Sequence, residues 1–416
     1  MKSITTSDLE QFYTSYHCPG NKRVEKQATK KGIGQFTLDK HILRENPAFF
    51  NLVLPTYHFY NQHDSGRCWC FSSLNLIEGN IARNLNITPR QLALSANYLT
   101  FFDKLEKTNY LYNYIIEKDC SLEKLCETVF GPEDPLVEGS FFVNFVNLVY
   151  KYGLVPASAM PENKNTDNSR DYLIDLWHEK ARADALELFK LKTEASEQKL
   201  YQIKKQKLGE MYTLLSKISG EPPRVFSYRY SDRSGRRQIL KNFTPAQFRD
   251  KFLTLDLRKF RSLRSDPTHK YYTSQVVKKA YSDNPFRPEI EYFNVTKSDM
   301  KRLAISQLKS GLPVKISIRT NLFKDRREKV LDTRLHNYEK LGVKLADYET
   351  GVATKLISSQ HAMVITGVQI ENGQPVRWKV ENTHTPNQFY VMNDNFFDMY
   401  VVEVGIYLDF FDFDLK

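Results

Sequence analysis

Apolar residues recur along this chain with two different periods, and the change from one to the other divides it. In the first half they return every three or four positions. "LNLIEGNIARNL" carries Leu74, Ile77 and Ile81 at helical spacing. The stretch from Pro89 through "RQLALSANYLTFFDKLEK" predicts a second helix, with Pro89 in its first turn, where a missing N–H costs nothing. Residues 171–218 contain no proline and a single glycine, Gly209, and predict one long helix or two in series, ended by "SGEPPR".

Beyond residue 300 the period falls to two. Val314, Ile316 and Ile318 alternate in "SGLPVKISIR". "HAMVITGVQIENGQPVRWKVEN" predicts a hairpin: a first strand to Ile370, a turn at "ENGQ", and a return strand with Val376, Trp378 and Val380 alternating. "FYVMND" and "MYVVEVGIYLDFF" add β-type segments. Helices first and an antiparallel sheet last give an α+β class. The expected organisation is an N-terminal arm over 1–60 that packs along the body, and a helical lobe over 61–160. A helical and basic insertion over 161–300 and a β lobe over 301–416 follow.

With 416 residues, 41% hydrophobic and 13% aromatic, the chain can bury a large core, which argues against disorder. The opening residues lack a signal-peptide apolar run, and no stretch has the length of a membrane helix. A cytoplasmic protein with no membrane partner is therefore expected. The net charge of +11 is concentrated: residues 221–270 hold 13 Lys plus Arg against 5 Asp plus Glu, a local excess of +8. That segment is either a solvated face or a surface for an acidic partner such as nucleic acid.

Five cysteines, an odd and sparse set, fit a reducing compartment better than a disulfide scaffold. Two of them fall in "GRCWCF". A C-x-C spacing suits neither a thioredoxin-type motif nor a zinc site with no second cluster, and an i,i+2 disulfide is geometrically poor. Cys68 stands just before the periodic helix, where the helix N-terminus favours a thiolate. Cys70 is expected to pack in the core. Gln62, six residues upstream, can offer an amide to a developing oxyanion. A thiolate needs a base, and His361 opens the strand "HAMVITGV", a rigid place from which to present an imidazole. Asn382 closes the return strand of the same hairpin, near His361, and can orient its ring. From spacing alone, His361 is as readily a core or surface histidine as a catalytic one.

"NQHDSGRCWCFSSLN", "HAMVITGV" and "RWKVEN", in that order, resemble the bleomycin hydrolase and bacterial aminopeptidase C family of papain-like cysteine peptidases, in its lactic-acid-bacterial form. The resemblance extends over nearly the whole length. It implies a two-lobed papain-like fold with a helical insertion. It also implies Cys68 as nucleophile, His361 as general base and acid, Asn382 as its orienter and Gln62 as the oxyanion donor, with no cofactor. The implied reaction is hydrolysis of short peptides through a thioester, and the implied assembly is a homohexamer with inward-facing sites, some relatives binding nucleic acid there.

Two departures carry further expectations. The family follows its asparagine with Ser-Trp-Gly, whose indole shields the His–Asn bond; here "THTPNQF" follows Asn382, so a wetter bond and slower turnover are expected. The family also has a C-terminal arm whose carboxylate enforces aminopeptidase action. This chain reaches Lys416 soon after "GIYLDFF", which leaves aminopeptidase and endopeptidase action both open. The competing readings are a catalytically impaired relative that binds nucleic acid through 221–270, or an assembly protein with a vestigial cleft.

Overall fold

The computed structural model describes residues 2–56, 58–88, 91–167, 170–279, 289–320, 322–384 and 389–413. Two cores organise them. The first is helical and centres on Cys68–Asn84, Ala96–Glu117, Phe142–Tyr152, Arg170–Leu191 and Glu197–Ser219, with Leu74, Ile77, Ile81, Trp177 and Leu215 fully buried. The long predicted helical segment is two helices, and Gly220, at a left-handed φ of 91°, ends the second. The second helix of the sequence begins at Ala96 rather than Pro89. Ser95 caps it by accepting the Tyr98 N–H, a stronger start signal than a proline. Pro89 itself lies outside the described residues.

The second core is a mixed sheet. Its central order runs Glu289–Asn294, Phe260–Arg264, Val401–Tyr407, Val314–Ile318, His361–Glu371, Gln374–Glu381, Phe389–Asn393. The hairpin is as the alternation predicts, with its turn at Asn372 and Gly373, both at positive φ (50° and 79°), the geometry a two-residue turn requires. The sheet is not wholly antiparallel: Phe260–Arg264 with Glu289–Asn294 and Phe389–Asn393 with Val330–Leu331 pair parallel. "DNFFDMY" forms a helix, Asp394–Tyr400, before the last strand, because Phe396, Phe397 and Tyr400 share one buried face at helical spacing.

The expected segment boundaries do not coincide with packing units. Arg170–Leu191 and Glu197–Ser219 pack on Ala96–Glu117 within the helical core, whereas Phe260–Arg264 and Glu289–Asn294 are strands of the sheet. The segment 161–300 is thus divided between the lobes. Nor does the whole arm pack along the body. Helices Thr6–Tyr16 and Pro19–Lys31 bury no residue. From Thr37 onward the arm is tied down, through the Asn46–Asp332 hydrogen bond (2.9 Å) and through Leu52 and Val53 pairing with Val368 and Gly367. A Cβ at Gly367 would stand 2.8 Å from the Leu52 carbonyl oxygen, so only glycine admits this edge pairing. Among the described residues, no helix is long and apolar enough to cross a membrane.

Candidate active site

The Cys68–Asn84 helix lies against the His361 strand, and a cleft of about 400 Å³ opens between the lobes at their contact. Gln62 and Cys68 line its helical side; Lys315, His361 and Glu403 line its sheet side. Cys68 is the first residue of its helix. No side chain caps that end, so the helix N-terminus keeps its positive field for the thiol. Burial nevertheless pushes the Cys68 thiol up, opposed by the backbone N–H of Ala362 and the charge of Lys315. Cys70 is fully buried among core residues, and burial raises its thiol far beyond the physiological range.

The loop that delivers Cys68 is fixed from several directions. Arg67, itself buried, holds both oxygens of Glu162 at 2.9 Å and the Thr166 carbonyl at 2.8 Å. Gly66 donates its N–H to Glu138 at 2.7 Å; a Cβ there would lie 2.8 Å from that of Glu138. Gln62 is buried. Its side-chain amide donates to the Ser65 carbonyl, and its Oε1 accepts the Thr383 hydroxyl. An amide nitrogen carries two N–H groups, so one remains to face the cleft.

On the sheet side, His361 Nε2 donates to Asn382 Oδ1 at 2.8 Å. The Thr383 N–H donates to the same oxygen at 2.9 Å, which fixes the amide's orientation. The imidazole therefore carries its proton on Nε2 and keeps Nδ1 as an acceptor. Burial lowers the His361 pKa to about 4, despite the upward pull of Asn382. With the thiol raised and the imidazole lowered, both are neutral at rest, and Nδ1 is left as an acceptor in the cleft that Cys68 also lines.

The expectation of a wetter bond is overturned. His384 stands two residues after Asn382, and its ring stacks on that of His361 at 4.7 Å and 28°. His384 Nδ1 donates to the His63 carbonyl at 2.9 Å, which holds the ring in place. His361 and Asn382 are 8% and 7% exposed, so a second imidazole covers the bond. Residues 385–388 lie outside the described residues. The last described segment packs elsewhere: Phe411 and Phe413 sit on Phe293, and Asp412 pairs with Arg302 at 2.6 Å, on the face of the sheet turned from the cleft. Residues 414–416 lie outside the described residues.

Sequence reasoning did not anticipate His384, Lys315 or Glu403 at the site. Lys315 left one trace, a lone cation inside the alternating strand "VKISI".

The depressed His361 has a consequence for stability. Between its folded value near 4 and the ordinary 6.5, the unfolded chain binds a proton that the folded one refuses. Stability present above pH 6.5 should therefore fall as the pH drops towards 4, by on the order of 3 kcal/mol from this group. Thermal unfolding followed at pH 7, 5.5 and 4.5 checks this, and a His361→Gln variant should lose part of the acid slope. An identical slope in both proteins would contradict the assignment.

The pattern of the Peptidase C1-like family matches residues 3–416. Aminopeptidase G of Lactobacillus delbrueckii subsp. lactis is 30% identical over 97% of this chain and 93% of its own length. Aminopeptidase E of Lactobacillus helveticus is 31% identical over 97% and 93%. Aminopeptidase C of Listeria monocytogenes is 30% identical over 97% and 92%. The crystal structure of PepW from Lactobacillus rhamnosis superposes with a TM-score of 0.88 at 28% identity, covering 98% of this chain and 93% of that one. With matches of that extent to its sequence and its fold, the chain belongs to the Peptidase C1-like family, and it is a papain-like cysteine peptidase.

Proposed function

We propose that the protein hydrolyses short peptides through a thioester on Cys68, with His361 as general base and acid, Asn382 as its orienter, and Gln62 with the Cys68 N–H as oxyanion donors. The observation that carries this is the meeting, across one cleft, of a thiol at an uncapped helix start with a buried imidazole held by Asn382 at 2.8 Å. The thiolate attacks the carbonyl carbon, the C–N bond breaks, and the proton on Nδ1 leaves with the amine. A water molecule, deprotonated by the same nitrogen, then releases the acid.

The names of the relatives support aminopeptidase action. One feature of the cleft favours internal cleavage instead. Among the described residues lining it, the single carboxylate is Glu403, and Arg264 holds it at 2.7 Å, which weakens it as a partner for a substrate's free ammonium. A fluorogenic peptide and its N-acetylated form separate the two. Cleavage of the free peptide alone assigns aminopeptidase action, and equal cleavage of both assigns endopeptidase action. Hydrolysis of neither overturns the proposed reaction on short peptides.

Assembly into a homohexamer and contact with nucleic acid through 221–270 rest on the family resemblance. Within 221–270, Arg249, Arg258 and Arg264 are engaged by Asp250, Asp256 and Glu403, and Lys259 by Asp409. Asp250 and Asp256 are already counted in the local excess of +8, so only the pairs with Glu403 and Asp409, from outside the segment, reduce it, to +6.

A further inference from the structure

Lys315 is a buried cation in the wall of the cleft. It lies on the Val314–Ile318 strand, whose Val314, Ile316 and Ile318 face the sheet's own core, so Lys315 and Ser317 face the other way, into the cleft. Lys315 is 6% exposed. Its Nζ stands 5.4 Å from the centre of the Phe142 ring. The nearby carboxylate does not pair with it. Glu403 gives Oε2 to Arg264 Nε (2.8 Å) and Nη2 (2.7 Å), and its Oε1 accepts the Ser262 hydroxyl (2.9 Å). Glu403 acts on Lys315 only through the field, as does the Cys68 thiol, while burial drives the ammonium's pKa down. Among the described residues, no carboxylate lies within ion-pair distance of Lys315. A buried charge without a hydrogen-bonded partner is costly, and a ligand that supplies one recovers that cost on binding.

The register says which part of a peptide meets it. His361, which protonates the leaving amine, lies opposite Ile318, and Lys315 lies opposite Val364, three residues further along. At roughly 3.3 Å per residue this displaces Lys315 by about 10 Å from the leaving-group end. The charge of Lys315 also reaches the Cys68 thiol, which takes up the acyl group, and both line the same cleft, so the side chain meeting Lys315 belongs to the acyl half of the substrate.

We infer that Lys315 forms an acyl-side specificity subsite that selects peptides with an acidic side chain there, Glu or Asp, over neutral or basic ones. Pairing of the substrate carboxylate with the ammonium replaces the partner that Glu403, held by Arg264, does not provide. The apolar ring of Phe142 borders the subsite and keeps water from competing. This selectivity rests on the proposed reaction at Cys68, although the binding preference can be read without it.

The test compares two peptides that differ only by Glu or Gln on the acyl side, each scanned at the two positions before the scissile bond. The wild type should favour Glu in kcat/KM by about ten- to a hundredfold, the range for a buried charged hydrogen bond. Lys315→Met should bring the ratio to about one, Lys315→Arg should retain it in part, and Lys315→Glu should reverse it in favour of a Lys peptide. Calorimetry of the same peptides on Cys68→Ala reads the preference with no chemistry. If that protein prefers Glu while the wild type cleaves nothing, the hydrolysis reading fails and the subsite stands. A wild-type ratio near one, or a ratio unchanged in a folded Lys315→Met, overturns the subsite.

Discussion

Cys68→Ala lowers peptide hydrolysis by roughly 10⁵- to 10⁶-fold, the loss expected when a nucleophile that acts as a unit with its base is removed. The fold should survive, because Cys68 is only partly buried at the helix start and alanine is a strong helix former. A peptidyl epoxide is the right reporter of the same thiol, read by mass spectrometry. Simple alkylation is less selective, since Cys18 and Cys126 are exposed and free, and Cys120 is half-buried. The epoxide needs a seated peptide as well as a thiol, and should modify Cys68 alone. Cys70 is shielded from it by complete burial. Hydrolysis that persists in Cys68→Ala, or epoxide found on any other cysteine, would falsify the assigned mechanism.

The second large effect is at Gln62. Gln62→Ala should lower kcat by about 10²- to 10³-fold with little change in KM, because an oxyanion donor binds charge that exists only in the transition state. The backbone N–H of Gln62 donates to the Thr383 carbonyl and remains in the variant, so the loop should hold its course. A thermal melt close to wild type would establish that. The epoxide should still label Cys68 in this variant, since thiol opening of an epoxide forms no tetrahedral carbonyl adduct. A kcat within threefold of wild type would remove Gln62 from the oxyanion site.

The chemistry was more legible in the sequence than the architecture around it. Cys68 stood out because a helical period begins immediately after it, and the nearness of His361 and Asn382 because one hairpin places its two outer ends together, whereas spacing alone left His361 as readily a core histidine and the roles came from the family resemblance. These are local patterns whose consequence in space is fixed by strand and helix geometry. The division of 161–300 between the lobes was not legible. Phe260–Arg264 is joined to the rest of the sheet through Val401–Tyr407, far along the chain, and nothing local marks such a partner. The parallel pairings failed to show for the same reason. His384 was hidden differently: a stack on His361 depends on where the chain turns after Asn382, and the His63 carbonyl that holds the ring comes from the opposite lobe. Lys315 could be seen as an oddity within a strand, but its meaning required knowing that Arg264 had already taken Glu403.

The bonds between Gln62 and Thr383 have a mechanical consequence. Gln62 belongs to the loop that leads to the thiol, and Thr383 directly follows the asparagine that steers the imidazole. One backbone bond and one hydroxyl bond therefore rivet the two lobes at the level of the reacting atoms. Spreading the cleft to admit a bulky peptide would strain these links and free the side chain proposed as oxyanion donor, while the His361–Asn382 bond, fixed by the Thr383 N–H on the sheet side, would remain. The width of the entrance and the hold on the proposed oxyanion donor would thus vary together, so a substrate that forces the cleft wider would do so at the cost of that donor.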